Sequence, residues 1–148
     1  PSMQPYHIYD DGSWAHKRID HDRLTRTYVF KTLIESGANL TFGSDWTVAP
    51  LNPVTGIYAA VTRRTRDGKN PNGWYPSEKI SVEDALRSYT INNAYAAFWE
   101  NKTGSITVGK YADFTVHSVN ILTAAPDEFL NSTVLRTVVA GKDYIFEK

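Results

Sequence analysis

The sequence predicts a mixed α/β fold with parallel strands in its first hundred residues. A strand end at residues 2–9 runs into a polar loop at residues 10–19, and apolar residues at helical spacing follow at residues 20–36. A second short strand is predicted at residues 39–43. Because a strand–helix–strand order within one sheet normally gives parallel strands, we expect these two strands to pair in parallel. Short β-prone runs separated by glycines then place a boundary near residue 101.

The helix predicted at residues 20–36 has recognisable ends. Asp20 or Asp22 can cap its amino end, where the first main-chain N–H groups lack partners. Gly37 stands where a left-handed residue commonly ends a helix. The loop at residues 44–52 leaves the carboxyl end of the second strand. Loops in that position hold the active sites of α/β barrels and open α/β sheets.

Two more helices are predicted before the boundary. A helix fits residues 53–64, since its first residue is a proline and proline suits the first helical turn. Residues 65–79 are rich in glycine and proline and are predicted to form a surface loop. Ser81 with Asp84 resembles a capping box that opens a helix ending near Trp99. The predicted buried face of that helix consists of Ala85, Leu86, Tyr89, Ala94, Ala97 and Phe98.

The last third of the chain is predicted to form antiparallel strands. Alternating and β-branched residues are typical of strands, and the glycines between these runs mark turns. Gly141-Lys142 is predicted as the hairpin turn between the last two runs. The predicted strands are Ser105–Val108, Phe114–Val119, Val134–Ala140 and Tyr144–Phe146.

The composition excludes several function classes. The 148 residues include 16 Lys plus Arg and 16 Asp plus Glu, so no net charge favours nucleic acid or an anionic membrane. Cysteine is absent, which excludes disulfides and thiolate metal sites. No apolar run approaches the roughly 20 residues that span a bilayer. We therefore expect no nucleic-acid or membrane partner, and a cytoplasmic location is favoured.

Gly43-Ser44-Asp45 is the sharpest chemical feature of the sequence. A carboxylate at the end of an apolar strand faces the mouth of an α/β barrel, where it can bind a divalent metal or exchange a proton with a metal-bound water. The preceding glycine lets neighbouring groups approach closely. The alternative is a local turn, since Ser and Asp are common after strands.

A histidine follows the first predicted strand in the same way. His7 leaves the carboxyl end of that strand, with Asp10 nearby, and can donate to a substrate oxygen or bind metal. The alternative is an exposed loop histidine. Paired carboxylates at Asp10 and Asp45 would suit glycoside hydrolysis, but their spacing does not favour it. The other histidines, His16, His21 and His117, have no supporting context.

Taken in order, a series of segments resembles family 3 of the amidohydrolase superfamily, the branch that includes N-substituted formamide deformylase and the exoenzyme regulatory protein. The likeness runs along nearly the whole chain in the order of that family. The matching segments are Ser2-Met3-Gln4-Pro5 with His7 and Asp10, Gly43-Ser44-Asp45-Trp46, Asn52-Pro53, Ala59-Ala60-Val61-Thr62-Arg63, Ala85-Leu86-Arg87-Ser88-Tyr89-Thr90, Asn93-Ala94, Gly104-Ser105-Ile106, Gly109-Lys110-Tyr111-Ala112-Asp113-Phe114 and Val139-Ala140-Gly141-Lys142.

The resemblance implies a metal-dependent hydrolase (β/α)₈ TIM barrel joined to a small composite β-sandwich. Residues 1–100 would supply the last two strand–helix units of the barrel, and residues 101–148 the carboxy-terminal strands of the sandwich. Asp45 would match the final-strand aspartate of the family, which binds metal and carries the proton of the attacking water. His7 would lie near the substrate.

The resemblance also implies which residues line the substrate pocket and which metal ligands this chain lacks. Trp46 and Arg63 would line the pocket, and the substrate would be a small amide-like molecule. Thr47 departs from the family, which commonly has proline there. The family's other metal ligands come from earlier strands, so the chain is expected to be a carboxy-terminal piece. Zinc or another divalent metal is then expected in the full-length enzyme, without tight binding or activity in this chain by itself.

The sequence also predicts a partner and leaves two alternatives to the hydrolase interpretation. The open edges of an incomplete barrel favour association with the missing amino-terminal part or with a second copy of the chain. A non-enzymatic regulatory or interaction module derived from an amidohydrolase is the first alternative. An unrelated α/β domain in which Gly43-Ser44-Asp45 is a turn is the second.

Overall fold

The computed structural model describes residues 1–144, which form two small sheets and seven α-helices. The predicted mixed α/β class is confirmed. The α-helices are α1 (Tyr6–Asp11), α2 (His21–Leu24), α3 (Phe30–Glu35), α4 (Pro53–Thr62), α5 (Val82–Tyr89), α6 (Ile91–Ala96) and α7 (Pro126–Leu130). The strands are β1 (Ser2–Met3), β2 (Thr41–Phe42), β3 (Phe114–His117), β4 (Val134–Val139) and β5 (Lys142–Tyr144). Two 3₁₀ turns lie at Ala15–Lys17 and Pro76–Glu78.

Strands β1 and β2 pair in parallel, as predicted. Ser2 lies opposite Thr41, and Met3 lies opposite Phe42. The Thr41 N–H donates to the Pro1 carbonyl at 3.0 Å, and the Gly43 N–H donates to the Met3 carbonyl at 3.0 Å. Because parallel strands end at the same edge, the segments that follow β1 and β2 emerge side by side.

Helix α1 replaces the loop that was predicted after the first strand. Pro5 has helical backbone angles and stands at the helix start, where a missing N–H costs nothing. Its carbonyl accepts from the Ile8 N–H at 3.1 Å, and the Ile8 side chain is fully buried. Burial of this apolar residue favours the helix although the sequence around it is polar.

The predicted single helix at residues 20–36 is wrong, because the chain forms α2 and α3 with a break between them. Of the two predicted caps, Asp20 and Asp22, it is Asp20 that caps α2, by accepting from the Arg23 N–H at 2.9 Å. The break lies at Tyr28, which is left-handed with φ 57°. The Tyr28 hydroxyl donates to Asp11 at 2.6 Å, so a tertiary contact replaces helix continuity. Gly37, with φ 82°, ends α3 as predicted.

The predicted helix from Ser81 to Trp99 also divides, into α5 and α6. Ser81 caps α5 by accepting from the Asp84 N–H at 3.0 Å, and its hydroxyl donates to the Asp84 carboxylate at 2.6 Å. The division lies at Thr90, whose φ of −122° and ψ of −94° are not helical. The prediction that Ala97 and Phe98 are buried is wrong, since both are exposed beyond the end of α6 and Phe98 is 90% exposed.

Helix α4 is the central helix of the molecule and has the predicted start. The Asn52 side chain accepts from the Val54 N–H at 3.0 Å, and Pro53 occupies the first turn. Most of its residues are buried, with α1, α5 and α7 packed around it. The rings of Tyr58 on α4 and Phe129 on α7 lie 6.3 Å apart in an edge-to-face arrangement. Residues 1–100 and the part of the chain after residue 101 therefore share one apolar core.

Strands β3, β4 and β5 form an antiparallel sheet in chain order. Lys142 already pairs with Val139, so the hairpin turn consists of Ala140 and Gly141, one residue earlier than predicted. Both turn residues have positive φ, 49° and 75°, as a type I′ turn requires. The last two residues of the predicted strand Tyr144–Phe146 lie outside the described residues.

The strand predicted at Ser105–Val108 does not form. This segment is a loop that the Tyr111 N–H closes by donating to the Lys102 carbonyl at 2.8 Å. Gly104 and Gly109, with φ 85° and 95°, bend the main chain at both ends of the segment. Between residues 1 and 144, no helix has the length and apolar character needed to cross a membrane.

Gly56→Ala is expected to destabilise the fold by about 1–3 kcal/mol, the usual range for overpacking a core. The new Cβ would stand 2.0 Å from the Tyr89 hydroxyl oxygen. Urea unfolding measures the free energy. In a Tyr89→Phe background the nearest atom would be the ring carbon at 3.0 Å, so the same substitution should cost less. An equal cost in both backgrounds would show that this contact does not control the packing.

Candidate active site

The carboxyl ends of β1 and β2 bring His7 and Asp45 together across 38 residues of sequence. The His7 Nε2 atom lies 3.1 Å from the Asp45 Oδ2 atom. His7 stands in the first turn of α1, and Asp45 lies in the loop that follows β2. Their side chains are 22% and 47% exposed, so the pair is open to solvent or a substrate.

The contact between His7 and Asp45 favours a proton on the Nε2 atom of the ring. An ionised carboxylate only accepts hydrogen bonds, so the His7 Nε2–H is the donor. The contact leaves the Asp45 Oδ1 atom without a partner among residues 1–144, and this oxygen is free to bind a cation or accept a proton. An imidazole paired with a carboxylate in this way is suited to hold and transfer protons.

Asp45 has a left-handed backbone, with φ 56°. Aspartate tolerates this conformation better than most residues, but surrounding contacts must still hold it. One such contact is the hydrogen bond that the Asp45 carbonyl accepts from the Ala49 N–H at 3.0 Å. The conformation directs the side chain from the end of β2 toward α1, where His7 stands.

Trp46 and its neighbours form an apolar stretch beside this pair. Trp46 is 65% exposed, and Val48 and Leu51 on the same loop are also exposed. The Trp46 side chain, next to Asp45 in sequence, is therefore accessible for the predicted contact with substrate. Asp10 makes no hydrogen bond to either residue of the pair among residues 1–144, and its carboxylate lies 3.8 Å from Arg66 Nη1.

Arg63 lies in the interior of the protein and is 0% exposed. It follows the last turn of α4 in a left-handed conformation with φ 53°. Its Nε donates to the Trp74 carbonyl at 2.7 Å, and its Nη1 donates to the Tyr28 carbonyl at 2.8 Å. These contacts favour a structural role for Arg63 over the predicted contact with substrate.

The surroundings of the Arg63 guanidinium explain how a charge is tolerated there. Its central carbon lies 5.7 Å from the ring centroids of both Phe30 and Trp74. Burial lowers the pKa of Arg63 to about 10, and Glu78 opposes this shift by attraction. The side chain therefore stays charged at neutral pH. Its Nη2 atom has no hydrogen-bond partner among the described residues.

Within the part of the chain that the structure describes, the carboxylate at the candidate site that could contact a metal ion is that of Asp45. Among residues 1–144, no group of three or more His, Asp or Glu side chains could hold a metal. A catalytic zinc normally takes three protein ligands and one open position. Asp45, with its neighbour His7, therefore does not form a metal site by itself.

A second feature, which the sequence did not locate, is a large apolar cavity elsewhere in the molecule. It has a volume of about 1040 Å³ and lies between helices α4 to α6 and the antiparallel sheet. Ile57, Leu86 and Val116 are among its lining residues, whereas His7 and Asp45 are not.

A family model and several known proteins resemble this chain over most of its length. A family model described as the amidohydrolase family matches residues 1–143. The chain is 41% identical over 145 residues to Protein LONG AFTER FAR-RED 3 of Arabidopsis thaliana, with 95% of this chain and 24% of that protein covered. It is 30% identical over 128 residues to N-substituted formamide deformylase of Arthrobacter pascens, with 86% of this chain and 22% of that protein covered.

A solved structure has the same fold over most of the chain. It is an uncharacterized metal-dependent hydrolase from Pyrococcus horikoshii, with a TM-score of 0.72 and 27% sequence identity. The match covers 85% of this chain and 25% of that one. The chain thus spans about a quarter of the length of the proteins that it matches.

Arg63→Ala is expected to destabilise the fold by about 3 kcal/mol or more, because two charge-assisted hydrogen bonds at about 1.5 kcal/mol each are lost. The adjacent Arg64 is a matched control. It is partly exposed and donates to Asp127 and to the Pro71 carbonyl, both at 3.0 Å. Because these bonds are screened by solvent, Arg64→Ala should cost no more than about 1 kcal/mol. Urea unfolding of both variants measures the difference. A larger loss in Arg64→Ala would contradict a structural role for Arg63.

Proposed function

The chain belongs to the amidohydrolase family, and from that membership we propose that it is part of a metal-dependent hydrolase of non-peptide carbon–nitrogen bonds. The observation that supports this proposal most directly is the contact between His7 and Asp45 at the carboxyl ends of two parallel strands. The similarity to a formamide deformylase supports an amide-like substrate. Among the described residues, no observation favours the non-enzymatic module.

Asp45 is the proposed catalytic residue of this chain. Its exposed carboxylate would accept the proton of an attacking water and deliver it to the leaving nitrogen. His7, which donates to the same carboxylate, would hold it in orientation and face the substrate. Trp46 would contact the apolar part of the substrate, because its side chain is exposed on the loop that carries Asp45. Arg63 would support this region from within the core.

The proposed metal is a divalent ion, with zinc as the first candidate. When bound, it would supply Lewis-acid activation of the amide carbonyl and of water. Asp45 would be one ligand, and the others would come from outside the described residues 1–144. The chain by itself is therefore proposed to bind no metal tightly and to be inactive. Its partner would be the remaining part of a longer protein or a second copy of the chain.

The finer architecture belongs to the same proposal. Residues 1–100 would supply the last two strand–helix units of a (β/α)₈ barrel, and the parallel pair β1–β2 is compatible with such units. Residues 101–148 would supply strands of a composite β-sandwich, to which the antiparallel sheet β3–β5 would contribute. A metal-dependent hydrolase of this kind places its catalytic groups at the carboxyl ends of barrel strands.

Asp45→Asn in the complete protein is expected to lower kcat/KM for N-substituted formamides by ~10²–10⁴-fold, because the amide cannot accept the proton. Asp10→Asn is the matched control: it removes an exposed carboxylate paired with Arg66 and should leave the rate nearly unchanged. Hydrolysis of a panel of formamides, with zinc content measured on the same samples, gives the comparison.

Two outcomes would contradict the proposal. Equal rates for Asp45→Asn and the unmodified protein would remove Asp45 from the catalytic role. Stoichiometric zinc together with robust hydrolysis by residues 1–148 alone would show that the chain does not depend on ligands from outside it.

A further inference from the structure

We propose that Asn93 is a positioning residue, whose side-chain amide fixes the carboxyl end of β2 and so orients Asp45 toward His7. This inference rests on the proposed function for its catalytic consequence, but its structural part can be measured separately. Asn93 is half-buried on α6, which packs against β2. It contacts neither His7 nor Asp45 directly among the hydrogen bonds of residues 1–144, so its effect would pass through the main chain of β2.

The two edges of β2 are held in different ways. Thr41 and Gly43 face β1 and donate to it through their main-chain N–H groups. Because residues of a strand alternate in direction, Leu40 and Phe42 present their carbonyls to the opposite edge. No strand among residues 1–144 pairs with that edge. Within the described residues, side chains of α6 donate to that edge.

Two adjacent asparagines donate to this second edge. The Asn92 Nδ2 atom donates to the Leu40 carbonyl, and the Asn93 Nδ2 atom donates to the Phe42 carbonyl, both at 2.8 Å. Asn93 Nδ2 also lies 3.3 Å from the Tyr89 carbonyl. Because both neighbours of this amide are carbonyl oxygens, its NH₂ group must face them, which settles the orientation of the side chain.

The position along β2 separates the roles of the two asparagines. Phe42 is the last residue of β2 and stands three residues before Asp45, whereas Leu40 precedes the strand. The next carbonyl, that of Gly43, lies 3.5 Å from the Tyr89 hydroxyl. The main chain that enters the Asp45 loop is therefore held by Asn93 and Tyr89, while Asn92 holds the entry to the strand.

The conformation of Asp45 explains why this anchor matters. A left-handed residue other than glycine persists where contacts on both sides determine the backbone. The Ala49 N–H holds the carbonyl of Asp45 on the far side, and Asn93 holds Phe42 on the near side. Loss of the near anchor would let the loop relax and move the carboxylate away from His7. A displacement of about 1 Å is enough to cost ~10²-fold in rate.

The structural part of the inference is tested by ¹⁵N NMR of the His7 ring. In the unmodified chain the His7 Nε2–H should exchange more slowly than that of a free imidazole, because it donates to Asp45, and it is assigned by its absence in His7→Gln. Asn93→Ala should speed its exchange roughly tenfold, the factor expected when one ordinary hydrogen bond is lost. Asn92→Ala removes an equal hydrogen bond from the same helix and should leave the exchange rate unchanged.

A second variant covers the case in which Asn93→Ala folds poorly. Asn93→Asp has nearly the same shape but no N–H donor, so it should also expose the His7 proton. An unchanged His7 signal in the folded Asn93 variants, or an equal change in Asn92→Ala, would overturn the positioning role.

The catalytic part is tested in the complete protein. Asn93→Ala should lower kcat by ~10²-fold with KM within about twofold of its original value, because substrate contacts are retained while the reacting geometry is lost. Asn92→Ala should retain kcat within about threefold. If the unmodified complete protein hydrolyses no amide, the proposed function fails, and the NMR comparison still decides whether Asn93 positions Asp45.

Discussion

The pairing of two very short parallel strands, Ser2–Met3 with Thr41–Phe42, is the constraint on which the candidate site depends. Two main-chain hydrogen bonds of 3.0 Å between them fix the register. Because the register is fixed, the residues that follow each strand emerge at one edge, and His7 reaches Asp45 at 3.1 Å. A shift of one residue in this pairing would turn the side chains of one strand to the opposite face.

A short strand pair of this kind is stable only with support from the surrounding core. The ring of Phe42, on β2, packs 4.9 Å from the ring of Phe30 on α3. Arg63, fully buried, ties the main chain at Tyr28 and Trp74 to the end of α4. These contacts involve residues far apart in sequence. The rigidity of the site therefore comes from the packed interior more than from the strands themselves.

The broken helices have a common physical explanation. A continuous helix from Ser81 would keep one axis along its whole length. The break at Thr90 instead starts a second helix, α6. From α6, Asn92 and Asn93 donate to carbonyls at the free edge of β2. Buried main-chain carbonyls need hydrogen-bond partners, so satisfying this edge offsets the loss of a regular helix. The left-handed Tyr28 between α2 and α3 likewise exchanges helix continuity for contacts with Asp11 and Arg63.

The sequence by itself determined the features that depend on a few neighbouring residues: the caps at Asp20 and Ser81, the left-handed end at Gly37, and the parallel order of the strands. It also identified Asp45 and His7 as candidates, since both follow strands. The tertiary structure decided the helix breaks, the burial of Arg63, the loop at Ser105–Val108 and the exposure of Phe98. Caps and turns are decided within about four residues, whereas these outcomes depend on partners tens of residues away, whose positions only the packed core sets.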